Sequence, residues 1–159
     1  MADIYNVETY EPRKSVGHLL SKVKTEILAV IDREIAADEQ LAPLEVTGAQ
    51  YIILAALSLL GGSQSTSDLC KGISYDAGAM TRMVDRLEEK GLLRRKRCTD
   101  DRRLVYLELT EQGTAALPRM KAIAVNVLNR FLRDFTQAEA HQLETYLNRM
   151  LENGARAGS

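Results

Sequence analysis

The sequence predicts a mainly α fold of about six helices with one small β element, on three observations. Apolar residues recur at three- and four-residue spacings along most of the 159-residue chain. Only between Leu92 and Leu109 does the period shift toward alternation. The composition is 45% apolar but 5% aromatic, without Trp, so the core has to be built from Leu, Ile, Val and Ala. A chain of this length fits one domain, or one compact module with extra helices for pairing to a second subunit.

After a short polar arm, Val16, Leu19, Leu20, Val23, Ile27, Ile31 and Ile35 define a long amphipathic helix from Ser15 to about Ala37. Pro43 marks a loop. Thr47-Gly48-Ala49-Gln50 reads as a capping box for a second helix, which reaches about Leu60 and is apolar on most faces, hence central. Gly61-Gly62-Ser63 ends it, and Ser65-Thr66-Ser67-Asp68 offers the cap of a short third helix ending near Gly72. A fourth helix, capped by Asp76 or Ser74, runs to Gly91, a residue suited to a left-handed stop.

Two strands follow, joined by a turn at Cys98-Thr99-Asp100-Asp101. Val105, Leu107 and Leu109 point one way, Tyr106 and Glu108 the other. Thr110-Glu111-Gln112-Gly113 opens a fifth helix, in which Pro118 is expected to bend the helix or confine its regular part to one side. Thr136-Gln137-Ala138-Glu139 is a second capping box. It opens a last helix with Leu143, Tyr146, Leu147, Met150 and Leu151 on one face. Two strands and a charged turn directly after two short helices make a winged helix-turn-helix.

The net charge of −1 says little, because binding to nucleic acid depends on where charge sits. From Lys90 to Arg103 there are seven basic residues against two acidic ones, a local balance of +5. On the fourth helix Met80, Met83, Val84 and Leu87 share one stripe, while Gly78, Thr81, Arg82 and Arg86 fall opposite. Ala77, Gly78 and Ala79 are small enough for close backbone approach to bases, and the helix start favours phosphate. Arg82 and Arg86 alone would fit a solvated face. The basic wing beside the same helix favours DNA instead, since the two elements together reach groove and backbone. Asp85 lies on the DNA side and reads as an intramolecular partner for a wing or helix arginine.

The run Ile73 to Leu87, then Lys90-Gly91-Leu92-Leu93, Asp101-Arg102-Arg103 and Leu109-Thr110-Glu111-Gln112-Gly113 together resemble the MarR (multiple antibiotic resistance regulator) family. Leu41-Ala42-Pro43-Leu44 with Val46-Thr47 and Ala49-Gln50 is similar as well, so the resemblance spans roughly Ser15 to Leu151. It implies a homodimer that binds an inverted-repeat operator in double-stranded DNA. Residues 47–112 would form the DNA-binding lobe, and 15–45 and 114–153 the dimerisation helices. Thr81, Arg82 and Arg86 fall at recognition-helix positions, with Asp76, Gly78 and Ala79 at the helix start. Arg95, Arg97, Arg102 and Arg103 lie on the wing, with Arg103 at its tip and Asp101 orienting a neighbouring arginine. Ser65, Thr66 and Ser67 fall where the family contacts phosphate. Dimer contacts are expected through Leu19, Val23, Leu143, Leu147 and Met150.

The resemblance also implies a transcription regulator, commonly a repressor relieved by a small aromatic acid or phenolic effector. For such a ligand His18, Lys22 and Tyr51 offer hydrogen bonds and charge, with Leu20, Ile53 or Leu54 over its ring; the competing reading makes His18 a packing residue and Tyr51 ordinary core. Catalytic and metal sites are not expected. No nucleophile and base pair up, no phosphate-binding glycine loop or dinucleotide fingerprint occurs, and His18 and His141 are the only histidines. No cofactor is implied. Cys70 reads as a buried thiol and Cys98 as a bystander, and with no leader or membrane span in the sequence the expected location is the cytoplasm. A protein-binding winged helix and a DNA-coating architectural protein would share these helices. A gel shift over genomic fragments, and the ratio of specific to random-sequence affinity, separate them.

Overall fold

The structure, a computed structural model, describes residues 3–73, 76–97 and 105–157, the side chain of Lys71 excepted. The elements run α1 (Val16–Ala37), α2 (Gly48–Leu59), β1 (Ser63–Ser65), α3 (Thr66–Gly72), α4 (Ala77–Glu89), β2 (Leu93–Arg97), β3 (Val105–Leu109), α5 (Glu111–Phe131) and α6 (Gln137–Ala157). Single 3₁₀ turns occur at Pro12–Lys14 and Ala42–Leu44. The fold is therefore mainly α with a small antiparallel sheet, a winged helix.

Local rules place most boundaries. The Ser15 hydroxyl accepts from the His18 N–H at 3.3 Å, and Thr47 and Gln50 cap α2 reciprocally. The Gly48 N–H of α2 also donates to Asp32 of α1 at 2.5 Å, which ties the two helices. Asp76 caps α4 through the Ala79 N–H at 2.9 Å. The far end of α4 closes as a Schellman motif: Gly91 sits at φ +69°, its N–H reaches the Glu88 carbonyl, and the Leu92 N–H reaches that of Leu87.

By packing, the chain divides into two compact units, Met1–Val127 and Leu128–Ser159. In the first, α2 is central as expected, with Ile53, Leu54 and Leu57 fully buried among Leu69, Met80, Leu87, Leu107 and Met120. Only the C-terminal half of α1 joins this core, through Ile31 and Ile35. Val16, Leu19, Leu20 and Val23 stay exposed. In the second unit α6 opens on the Thr136–Glu139 capping box and buries no residue; Leu143, Tyr146, Met150 and Leu151 are exposed.

Three expectations change. The sheet has a third strand, β1, in the order β1-β3-β2; Ser63, Gln64 and Ser65 carry no apolar alternation and form a strand only because β3 offers them an edge. Pro118 does not confine α5, which is helical on both sides of it. One lost donor is outweighed by Leu117, Met120, Ala124 and Val127, all buried. Cys70 is partly rather than fully buried. The wing turn, with Cys98, lies outside the described residues, as does Ser74. Among the described residues no helix is long and apolar enough to cross a membrane.

Candidate nucleic-acid interface

The division of α4 follows its sequence. Met80, Val84 and Leu87 are fully buried and Met83 half-buried, whereas Asp76, Gly78, Thr81, Arg82 and Arg86 are exposed and Ala79 is half-exposed. Thr81 donates its hydroxyl proton to the Ala77 carbonyl at 2.8 Å, leaving its oxygen able to accept. Arg82 and Arg86 have no ion-pair partner among the described residues. At the start of α3 the Ser65 hydroxyl is engaged at both ends: it accepts from the Asp68 N–H at 3.1 Å and donates to the Asp68 carboxylate at 2.7 Å. Thr66 is half-buried and Ser67 exposed.

Strand register sorts the wing cations. Leu93 pairs with Leu109, Arg95 with Leu107 and Arg97 with Val105, so Arg95 and Arg97 share the face that sends Leu93 and Leu107 into the core. Arg94 and Lys96 lie on the other face. There both hold Glu108 on β3, at 3.0 and 3.1 Å. Hydrogen bonds from Lys96 and Arg94 keep the Glu108 carboxyl below its ordinary value. On the first face Arg95 reaches α4: its guanidinium meets Asp85 at 2.6 Å and Glu88 at 2.5 Å. Its partial burial would lower its pKa, but the hydrogen bonds to Asp85 and Glu88 prevail and raise it. Lys90 donates to the Glu45 carbonyl.

Of the five described wing cations, then, Arg97 alone lacks a protein partner among the described residues. Asp85 has the intramolecular role expected of it. Arg95, expected at the DNA, is instead held by two carboxylates. Glu88 and Glu108 were missed, although each has a signal: Glu88 lies one turn from Asp85, and Glu108 alternates with Leu107 opposite the basic strand. Asp101, Arg102 and Arg103 lie outside the described residues.

The expected ligand residues do not converge within the first unit. His18 and Lys22 are exposed on α1. Tyr51 instead lines a cavity of about 450 Å³ between α2 and α5, with Ala55, Leu59, Thr114, Pro118 and Lys121. Burial raises the Tyr51 pKa, which keeps the hydroxyl protonated and able to donate. Ile53 and Leu54 are fully buried core residues and cannot cover a ring there.

The family model for the MarR family matches residues 46–105, from the approach to α2 through the start of β3. A cysteine-to-serine mutant of MarR from E. coli, complexed with operator DNA, is similar over 94% of this chain and 99% of its own, at 26% identity and a TM-score of 0.74. BpsR of Bordetella bronchiseptica, whose DNA binding is regulated by 6-hydroxynicotinic acid, is 26% identical over 89% of this chain and 96% of its own, with a TM-score of 0.75. The organohalide-sensing regulator RdhR, bound to 2,4-dichlorophenol, covers 94% of this chain and 85% of its own at 21% identity and a TM-score of 0.78, a likeness of fold. Of the interface described here, α4 and β2 lie in the segment the family model covers, and β3 begins at its last residue.

Proposed function

We propose that this chain is a sequence-specific, DNA-binding transcription regulator of the cytoplasm, a repressor that binds an inverted-repeat operator as a homodimer and is released by a small aromatic or phenolic effector. The observation that carries the reading is the division of α4, which buries Met80, Val84 and Leu87 and turns Thr81, Arg82 and Arg86 outward, on the helix to which Arg95 ties the basic strand β2. Residues 47–112 then serve as the DNA-binding lobe, and 15–45 and 114–153 as the dimerisation helices. The apolar side chains left open on α1 and α6 support a dimer, because exposed stripes of this kind mark association surfaces. Selection from a random duplex pool tests the reading: enrichment of two half-sites about 10 bp apart is expected, and a pool that stays unenriched refutes it.

For the effector, the α2–α5 cavity supports a planar acid or phenol. Lys121 would meet its charge, the Tyr51 hydroxyl would donate to it, and Ala55 and Leu59 would flank the ring. The ligands of BpsR and RdhR have this chemistry. The effector acts only as far as it binds the DNA-free arrangement more tightly. Hydroxy-aromatic acids titrated into the protein–operator complex are expected to release DNA, with Lys121→Ala insensitive and His18→Ala responsive. Equal responses in both variants reject this cavity.

A further inference from the structure

Among the described residues, Arg95 is the one wing side chain hydrogen-bonded to α4. Arg95 directs three hydrogen bonds at α4: its backbone N–H to Glu88 Oε1 at 2.9 Å, Nη1 to Glu88 Oε2 at 2.5 Å and Nη2 to Asp85 Oδ1 at 2.6 Å. Both Glu88 oxygens are thus occupied, and the two acids are three residues apart on a single helix face. A planar guanidinium fork can span two such carboxylates; an ammonium group cannot reproduce that geometry. The Arg95 side chain is 32% exposed, against 66% and 64% for its strand neighbours Arg94 and Lys96, which turn to the opposite face.

Charge decides what this cluster can do. Asp85, Glu88 and Arg95 together carry a net −1, so the group does not attract a phosphate. The elements it joins carry the cations that do: Arg82 and Arg86 on α4, and Arg97 two residues further along β2.

We propose that Arg95 is a positioning residue for DNA binding: its fork over Asp85 and Glu88 sets the pitch of the wing against α4, so that α4 and Arg97 meet the duplex in register, without Arg95 touching DNA. This rests on the DNA-binding reading above. It makes a prediction of unusual sign. Removing the negative charge of Glu88 should strengthen DNA binding if Arg95 is a phosphate contact held in reserve, because the arginine is freed and a repulsive charge disappears. If Arg95 positions the wing, the same change weakens binding.

The test uses a duplex selected from a random pool by the wild-type protein, with affinities measured across a salt series. Glu88→Gln and Arg95→Lys are each expected to lose about ten-fold in affinity with the salt dependence unchanged, because no phosphate contact has gone. Hydroxyl-radical footprints should lose protection under the wing and keep it under α4. A role in stability alone would lower the melting temperature and leave the folded protein's footprint as it was, which would overturn the proposal. Tighter or equal binding by Glu88→Gln, or near-wild-type binding by Arg95→Lys, would also overturn it while leaving the DNA-binding reading intact. If the wild-type protein selects no duplex, both fall together.

Discussion

At the scale of single residues, the sharpest constraints come from one exposed cation and one glycine. Arg82 projects from α4 with no carboxylate to hold it among the described residues, so Arg82→Ala is expected to weaken operator binding by about 1–3 kcal/mol and lower the salt slope by about 1. Fluorescence anisotropy over a salt series measures both. Gly113 is fixed by contact: a Cβ there would lie 2.0 Å from the Leu92 carbonyl oxygen, a backbone atom that cannot rotate away. Gly113→Ala should therefore destabilise the first unit by about 1–3 kcal/mol, seen as a lower denaturation midpoint without loss of helix at low denaturant. The caps at Thr47, Asp76 and Thr136 were legible in the sequence because a cap needs only its own neighbours in the chain. Gly113 stood in a recognised motif, but the reason for it lies on the Leu92 carbonyl, twenty-one residues away, and became visible only in the fold.

At the scale of elements, the wing divides its charges by face, and pH exposes the division. The Glu108 carboxyl is held below its ordinary value of 4.5 by Lys96 and Arg94. A carboxyl with a depressed folded pKa contributes stability that is complete above its unfolded value and lost as pH falls through its folded one. Wild type and Glu108→Gln are therefore expected to differ most near neutrality and to converge as pH falls through the depressed folded value, below the ordinary 4.5; thermal denaturation over an acid-to-neutral series checks this. A constant gap would assign Glu108 no part in the acid limb. Elements of helical period were legible because 3.6-residue spacing survives any tertiary context. β1 was not, since a polar tripeptide has no pattern of its own and takes its conformation from β3. The role of Arg95 was hidden for a related reason: alternation shows that neighbouring side chains diverge, but register decides which face meets α4.

At the scale of the whole molecule, the open apolar side chains carry the argument. Leu19 and Val23 on α1 are 50% and 48% exposed, and Met150 on α6 is 44% exposed. If these surfaces pair between two copies, thermal stability must rise with protein concentration, because association binds the folded state alone. Leu19→Glu and Met150→Glu are expected to shift the protein to monomer in sedimentation equilibrium at micromolar concentration and to abolish that dependence. A wild-type protein that sediments as a folded monomer contradicts the dimer. The sequence named these residues because their period is regular. It grouped Tyr51 with His18 and Lys22, but which residues share a cavity depends on how the helices pack, and here Tyr51 shares one with Lys121.

The two ends of the wing meet in one small joint. Thr110 donates its hydroxyl to the Gly91 carbonyl at 2.6 Å and its N–H to the Leu92 carbonyl at 3.2 Å, while its oxygen accepts from the Gly113 N–H at 3.0 Å. The hairpin thus departs from the lobe and returns to it at a socket closed by the Thr110 hydroxyl and by backbone atoms of Gly91, Leu92, Thr110 and Gly113. In evolutionary terms the wing is an exchangeable part. The joint holds the end of α4 and the start of α5 together, so substitutions in the strands that keep Thr110 and the Arg95 contacts can alter what the wing presents without refolding the domain that carries it.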